Sequence, residues 1–272
     1  LAVAAGAMFE ATNSKKYLDE RINDLEVEVD SLSMWIEKEK KGEVQMIKAI
    51  IFDLDGTLLN RDESVKNFID DQYERFKKWV GNIPKDIYTK RFIELDCRGY
   101  VWKDKVYQQL VRELEIEGID WQYLLQDYIS QFPIHCVPFP NVLSMLEKLK
   151  KNNLVLGMIT NGFGDFQMNN LKALGIEKYF KAILVSEWEG IKKPDPEIFE
   201  RALKKLQVNP NESIFVGDHP ENDVIASRNV GMISIWKKDY QWDTFVTELY
   251  VNDLAELPSI IEEVRTNLCK GK

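Results

Sequence analysis

The chain has 272 residues, 44% hydrophobic and 30% charged, which is ordinary for a soluble globular protein with room for a full core and one further module. Its formal net charge of -9 disfavours a nucleic-acid partner, and no stretch is long and apolar enough to read as a membrane span. Cys97, Cys136 and Cys269 are scattered without CxxC spacing, so no disulfide scaffold is expected, and the expected localisation is a reducing cytoplasm. Along the chain, Leu18, Ile22, Leu25, Val29, Leu32 and Ile36 come first, alternately four and three apart. That is a heptad seam of about three repeats. It reads either as one amphipathic helix packed on the main domain or as a short coiled coil that makes a homodimer through residues 18–36. Met46 then opens a stretch that reads like a natural protein start, so residues 1–45 are taken as an appended helical extension.

From there, short apolar runs alternate with amphipathic stretches. Runs at 47–52, 154–159, 182–185, 213–216 and 232–236, with a sixth beginning at 250–251, predict parallel strands buried on both faces. Helical stripes lie between them: Val142, Leu146 and Leu149; Phe166, Leu171 and Leu174, closed by Gly175; and Ile198, Ala202, Leu203 and Leu206, entered through Pro194 and Pro196. Strand–helix alternation predicts an α/β fold with a doubly wound, Rossmann-like parallel sheet. The alternation is broken once. Residues 61–136 contain no convincing strand but several helical stripes, among them Val65, Phe68 and Ile69, then Val106 and Leu110, then Trp121, Leu124 and Tyr128. This segment predicts an α-helical subdomain inserted after the first strand, with the core formed by 46–60 and 137–272.

In open parallel sheets, ligands bind beyond the carboxyl ends of the strands. The chemistry-bearing residues collect there: Asp53 and Asp55 after the first run, Thr160-Asn161-Gly162 after the second, Lys193 beyond the third, and Asp218 and Asp223 beyond the fourth. In Asp53-Leu54-Asp55-Gly56-Thr57, Gly56 permits the turn that lets two carboxylates face one site. One can attack while the other manages protons. No GxxxxGK[ST] loop, complete dinucleotide loop or GxSxG elbow is present.

These four segments, in this order and strand context, resemble the signatures of the haloacid dehalogenase superfamily, in its aspartate-nucleophile phosphatase branch. The resemblance covers 46–264 and makes the insert a cap that closes over the site. It implies that Asp53 attacks phosphorus, and that Asp55 protonates the leaving oxygen and then activates water. It implies that Thr160, Asn161 and Gly162 bind phosphoryl oxygens while Lys193 neutralises charge. Mg²⁺ would be held by Asp53, the Asp55 carbonyl and Asp218, with Asp223 acting through water or behind the ligands. A cation is physically reasonable there, because two like unit charges ~4 Å apart repel by ~4 kcal/mol at an effective dielectric of about 20. The expected partner is a small phosphorylated metabolite. In the cap, Arg98 is a candidate contact for an anionic substrate group, and Tyr100 or Trp102 for an apolar or ring portion; packed aromatics and a surface arginine are the plainer reading. A phosphomutase shares all four signatures. A dehalogenase generally lacks the acid at the position of Asp55, and a non-catalytic coiled-coil assembly would not need Asp53, Asp55, Lys193 and Asp218 together.

Overall fold

The computed structural model describes residues 46–242 and 244–270, of which Ile47–Ile261 form one compact body. The heptad seam, and the pairing of chains that depends on it, lie outside the described residues. In chain order, β1 (Ala49–Phe52) leads into a helical insertion of α1 (Arg61–Arg75), the single turn α2 (Lys77–Val80), α3 (Lys85–Asp96), α4 (Lys103–Glu113) and α5 (Trp121–Gln131). The chain continues through α6 (Val142–Lys151), β2 (Val155–Thr160), α7 (Gly164–Ala173), β3 (Ala182–Val185), the single turn α8 (Ser186–Glu189) and α9 (Pro196–Leu206). It finishes with β4 (Ser213–Gly217), the single turn α10 (Ala226–Asn229), β5 (Ile233–Lys237), β6 (Tyr250–Val251) and α11 (Leu257–Lys270). Among the described residues no helix is long and apolar enough to cross a membrane.

The six strands form one parallel sheet in the order β3-β2-β1-β4-β5-β6. This is the doubly wound arrangement expected from the alternation. β1 is central and all four of its side chains are buried, which explains why Ala-Ile-Ile-Phe is apolar without alternation. The chain runs outward from β1 through β2 to β3, then returns to place β4 on the other side of β1. The switch point therefore falls between the carboxyl ends of β1 and β4, where a crevice opens. Phe52 stands opposite Val216 in that pairing, which puts Asp53 beside Gly217 and one residue from Asp218.

The insertion has its own core, an aromatic cluster that includes Phe68, Tyr73, Tyr88, Phe92, Tyr107, Tyr128 and Phe132. Gln72 is buried within it with its amide satisfied. It donates to the Leu124 carbonyl and to Asp127, and accepts from the Tyr107 hydroxyl at 2.7 Å. The two linkers of the insertion pair with each other: Asn60 donates its backbone N–H to the Val137 carbonyl at 2.8 Å, and Phe139 to the Leu58 carbonyl at 2.9 Å. One expectation for α7 needs correcting. Leu171 and Leu174 face the core, but Phe166 turns away from it and packs on Tyr128, Phe132 and Trp102 of the insertion. An apolar stripe does not say which of two layers each of its residues will meet.

Candidate active site

The turn after β1 is built around its own backbone. Leu58 and Leu59 both donate to the Leu54 carbonyl, and Gly56 donates to the Leu59 carbonyl. Gly56 has φ +85, and a Cβ there would lie 2.4 Å from Asp218 Oδ2, so both the turn and the approach of Asp218 require glycine. Gly217 has the same function on β4, where a Cβ would meet Asp223 at 2.4 Å. The two glycines let three carboxylates close in. One oxygen from each of Asp53, Asp218 and Asp223 lies within 4.8 Å of the others.

Lys193 reaches this cluster from the segment after α8. Its Nζ lies 2.6 Å from Asp53 Oδ1 and 2.6 Å from Asp223 Oδ1, and the side chain is 3% exposed. Its backbone is fixed by Asn161, whose side-chain amide donates to the Lys193 carbonyl and accepts from the Lys193 N–H. Asp223 accepts from the His219 N–H on its other oxygen at 2.9 Å. The Trp236 indole donates to the Asp218 carbonyl at 2.7 Å. The Thr57 hydroxyl lies 3.2 Å from Asp53 Oδ2 and 3.3 Å from Asp218 Oδ1.

The electrostatics follow from this crowding. Burial, helped by the Asp223 and Asp55 carboxylates and opposed by Lys193, pushes Asp53 up to about 7. Burial, together with Asp53 and Asp223, pushes Asp218 well above the ordinary carboxylate range. Burial opposes the charge on Lys193, but Asp223 and Asp53 outweigh it and hold the ammonium protonated. Formally, three carboxylates and one ammonium leave two negative charges, the complement of one divalent cation. A hard-oxygen donor set this dense, in a buried site, fits such an ion.

The structure brings Asp53, Asp55, Thr160, Lys193, Asp218 and Asp223 to one rim. Three expected phosphate contacts have partners within the protein. The Asn161 side chain is committed to Lys193, and the Gly162 N–H donates to Ser186 Oγ at 2.9 Å. Arg98, read as a contact for substrate anions, is paired with Asp239 at 2.5 Å and with Asp62 at 3.4 Å. Those partners all lie far away in sequence, so nothing local announced them. Tyr100 does border the mouth, edge-on to His219, whereas Trp102 packs on Phe163 and Phe166. Two residues without an assigned role join the site. Thr57 could have been suspected from its place in the first motif. Gln167 lies in α7, and its amide reaches Asp55 at 2.6 Å.

A doubly wound sheet with an acidic, lysine-bridged crevice at its switch point and a helical insertion after its first strand is the architecture of a haloacid dehalogenase-like hydrolase. The chain belongs to the haloacid dehalogenase-like hydrolase family, whose sequence profile matches residues 50–237. It is 28% identical over 225 residues to a glyceraldehyde 3-phosphate phosphatase of Pyrococcus furiosus, covering 80% of this chain and 93% of the relative. Over a shorter span of 115 residues it is 34% identical to the pyrimidine 5'-nucleotidase YjjG of Escherichia coli, covering 42% of this chain and 50% of the relative. Among solved structures, a HAD phosphatase from Thermococcus onnurineus superposes with a TM-score of 0.55 at 25% identity, covering 79% of this chain and 97% of the other. A 2-haloacid dehalogenase from Pseudomonas syringae superposes with a TM-score of 0.54 at 28% identity, covering 80% of this chain and 100% of the other.

Proposed function

We propose that this protein is a magnesium-dependent phosphatase that hydrolyses a small phosphorylated metabolite through an aspartyl-phosphate on Asp53. The observation that carries the reading is the position of Asp53: a buried carboxylate 2.6 Å from the Lys193 ammonium, within 4.8 Å of Asp218 and Asp223, with Asp55 two residues away. Asp53 and Asp218 would hold the ion, with the Asp55 carbonyl, and Asp223 would orient Lys193 behind them. Bound there, Mg²⁺ supplies the positive charge that lets a carboxylate and a phosphate dianion approach each other.

In the first step an Asp53 oxygen bonds to phosphorus, the bond from phosphorus to the ester oxygen breaks, and that oxygen takes the Asp55 proton. In the second, water attacks the phosphoryl group, its proton passes to Asp55, and inorganic phosphate leaves with Asp53 restored. Lys193 offsets charge on the transferring group throughout. Thr160 Oγ1 accepts from Gln167 at 2.9 Å, which leaves its own hydrogen to donate to a phosphoryl oxygen.

A dehalogenase is the rival suggested by the structural likeness. Asp55 favours the phosphatase: a halide departs as a stable anion, whereas an ester oxygen needs a proton. The phosphomutase reading uses the same groups and differs only in the acceptor of the phosphoryl group. The similarity to glyceraldehyde 3-phosphate phosphatases and to a pyrimidine nucleotidase is the reason to begin a substrate screen with triose phosphates and nucleoside monophosphates.

The test is an assay on p-nitrophenyl phosphate, with 2-chloropropionate alongside. Turnover with Mg²⁺, its loss in chelator, and its loss in Asp53→Asn are expected. Turnover retained by Asp53→Asn, or halide release in place of phosphate release, rules the reading out.

A further inference from the structure

Gln167 takes no direct part in the steps above, yet it is 4% exposed and faces the reacting groups. Its Nε2 lies 2.6 Å from Asp55 Oδ2, 2.9 Å from Thr160 Oγ1 and 3.0 Å from the Asn161 carbonyl. A carboxylate and a carbonyl both accept, so the amide nitrogen, not the amide oxygen, must face this cluster. The side chain is braced on both sides. Gly162, with φ +152, backs onto it so closely that a Cβ there would lie 2.8 Å from Nε2, and Asn170, one turn further along α7, points its amide at Oε1 from 3.4 Å. The shortest of the three contacts of the amide nitrogen is the one to Asp55. Two of the three tie α7 to the end of β2, which any buried glutamine could do; the third reaches across 112 residues to a carboxylate at the mouth.

We propose that Gln167 is a positioning residue for proton transfer. Its amide fixes the direction in which the Asp55 carboxyl faces the leaving oxygen, and it turns the Thr160 hydroxyl toward the phosphoryl group. This rests on the phosphatase reading.

The experiment compares kcat/KM for two esters, p-nitrophenyl phosphate and an alkyl phosphate, in the native protein, Gln167→Met and Gln167→Asn. The methionine keeps the bulk without donors; the asparagine keeps the amide but withdraws it by one methylene. An aryl oxide of low basicity leaves with little help, whereas an alkoxide needs the acid. A misaimed Asp55 therefore slows the alkyl ester more, by about tenfold or more relative to the aryl ester. In an Asp55→Asn background the same substitutions should add nothing to that ratio. Thermal melting of each variant reports whether it is folded, and the asparagine variant decides the matter if the methionine variant is not. Equal losses on both esters would mean that Gln167 only braces α7, and unchanged rates would mean that it positions nothing; either overturns the proposal. A native protein inactive on both esters would instead remove the phosphatase reading itself.

Discussion

At the scale of single residues, the site is a crowd of like charges held together by close packing. Two glycines admit three carboxylates, and one lysine offsets part of their repulsion. This has a consequence for stability that does not depend on activity. Burial, with neighbouring carboxylates, raises Asp53 from 3.8 to about 7 and Asp218 well above its ordinary value. The folded state therefore keeps protons that the unfolded chain releases, and the site's contribution to stability falls as pH rises from the ordinary carboxylate range toward about 7. In chelator, Asp218→Asn should melt close to the native protein at about pH 4 and above it at about pH 7. Added Mg²⁺ should raise the melting temperature of the native protein at pH 7 and do little for Asp218→Asn. A native protein that melts above Asp218→Asn at pH 7 in chelator contradicts the electrostatics described here.

At the scale of elements, two of the contacts between the cap and the core differ in kind. One is the aromatic stack of Phe166 from α7 on Tyr128 of α5, with ring centroids 5.3 Å apart. The other is the ion pair of Arg98, beside the end of α3, with Asp239 beyond β5. Arg98 is about one-third exposed, so Arg98→Ala should cost less than about 1 kcal/mol of stability in a denaturant titration. Its effect should appear in catalysis, as a few-fold rise in KM with kcat less affected, because substrate then has to close a looser cap. A large loss of kcat at unchanged KM would give Arg98 a different function.

The same elements show how far a linear reading extends. The strands were legible because a sheet covered on both faces demands unbroken apolar runs, and the motif carboxylates were legible because each follows such a run. What escaped was what depends on a partner distant in sequence. Arg98 looks like a free cation until Asp239 is folded next to it, the Asn161 side chain like a free amide until Lys193 is, and Phe166 like one more core residue until the insertion lies over it. Gln167 occupies a helical position that could equally have faced solvent.

For the molecule as a whole, every group of the site, from Asp53 to Asp223, belongs to the compact body Ile47–Ile261. We propose that residues 1–45 are a separate extension, so a chain beginning at Met46 should keep its kcat/KM within about twofold. Light scattering on the two forms reads out whether the heptad seam pairs chains. A severe loss of activity in the shorter form would make the extension part of the enzyme. The cap enters and leaves through two linkers zipped side by side, and the inner one is bridged at Leu59 to Asp55. Asp53, by contrast, is anchored to the sheet by its N–H bond to Val216. We propose that a displacement of the insertion is carried through these linkers to Asp55 more directly than to Asp53.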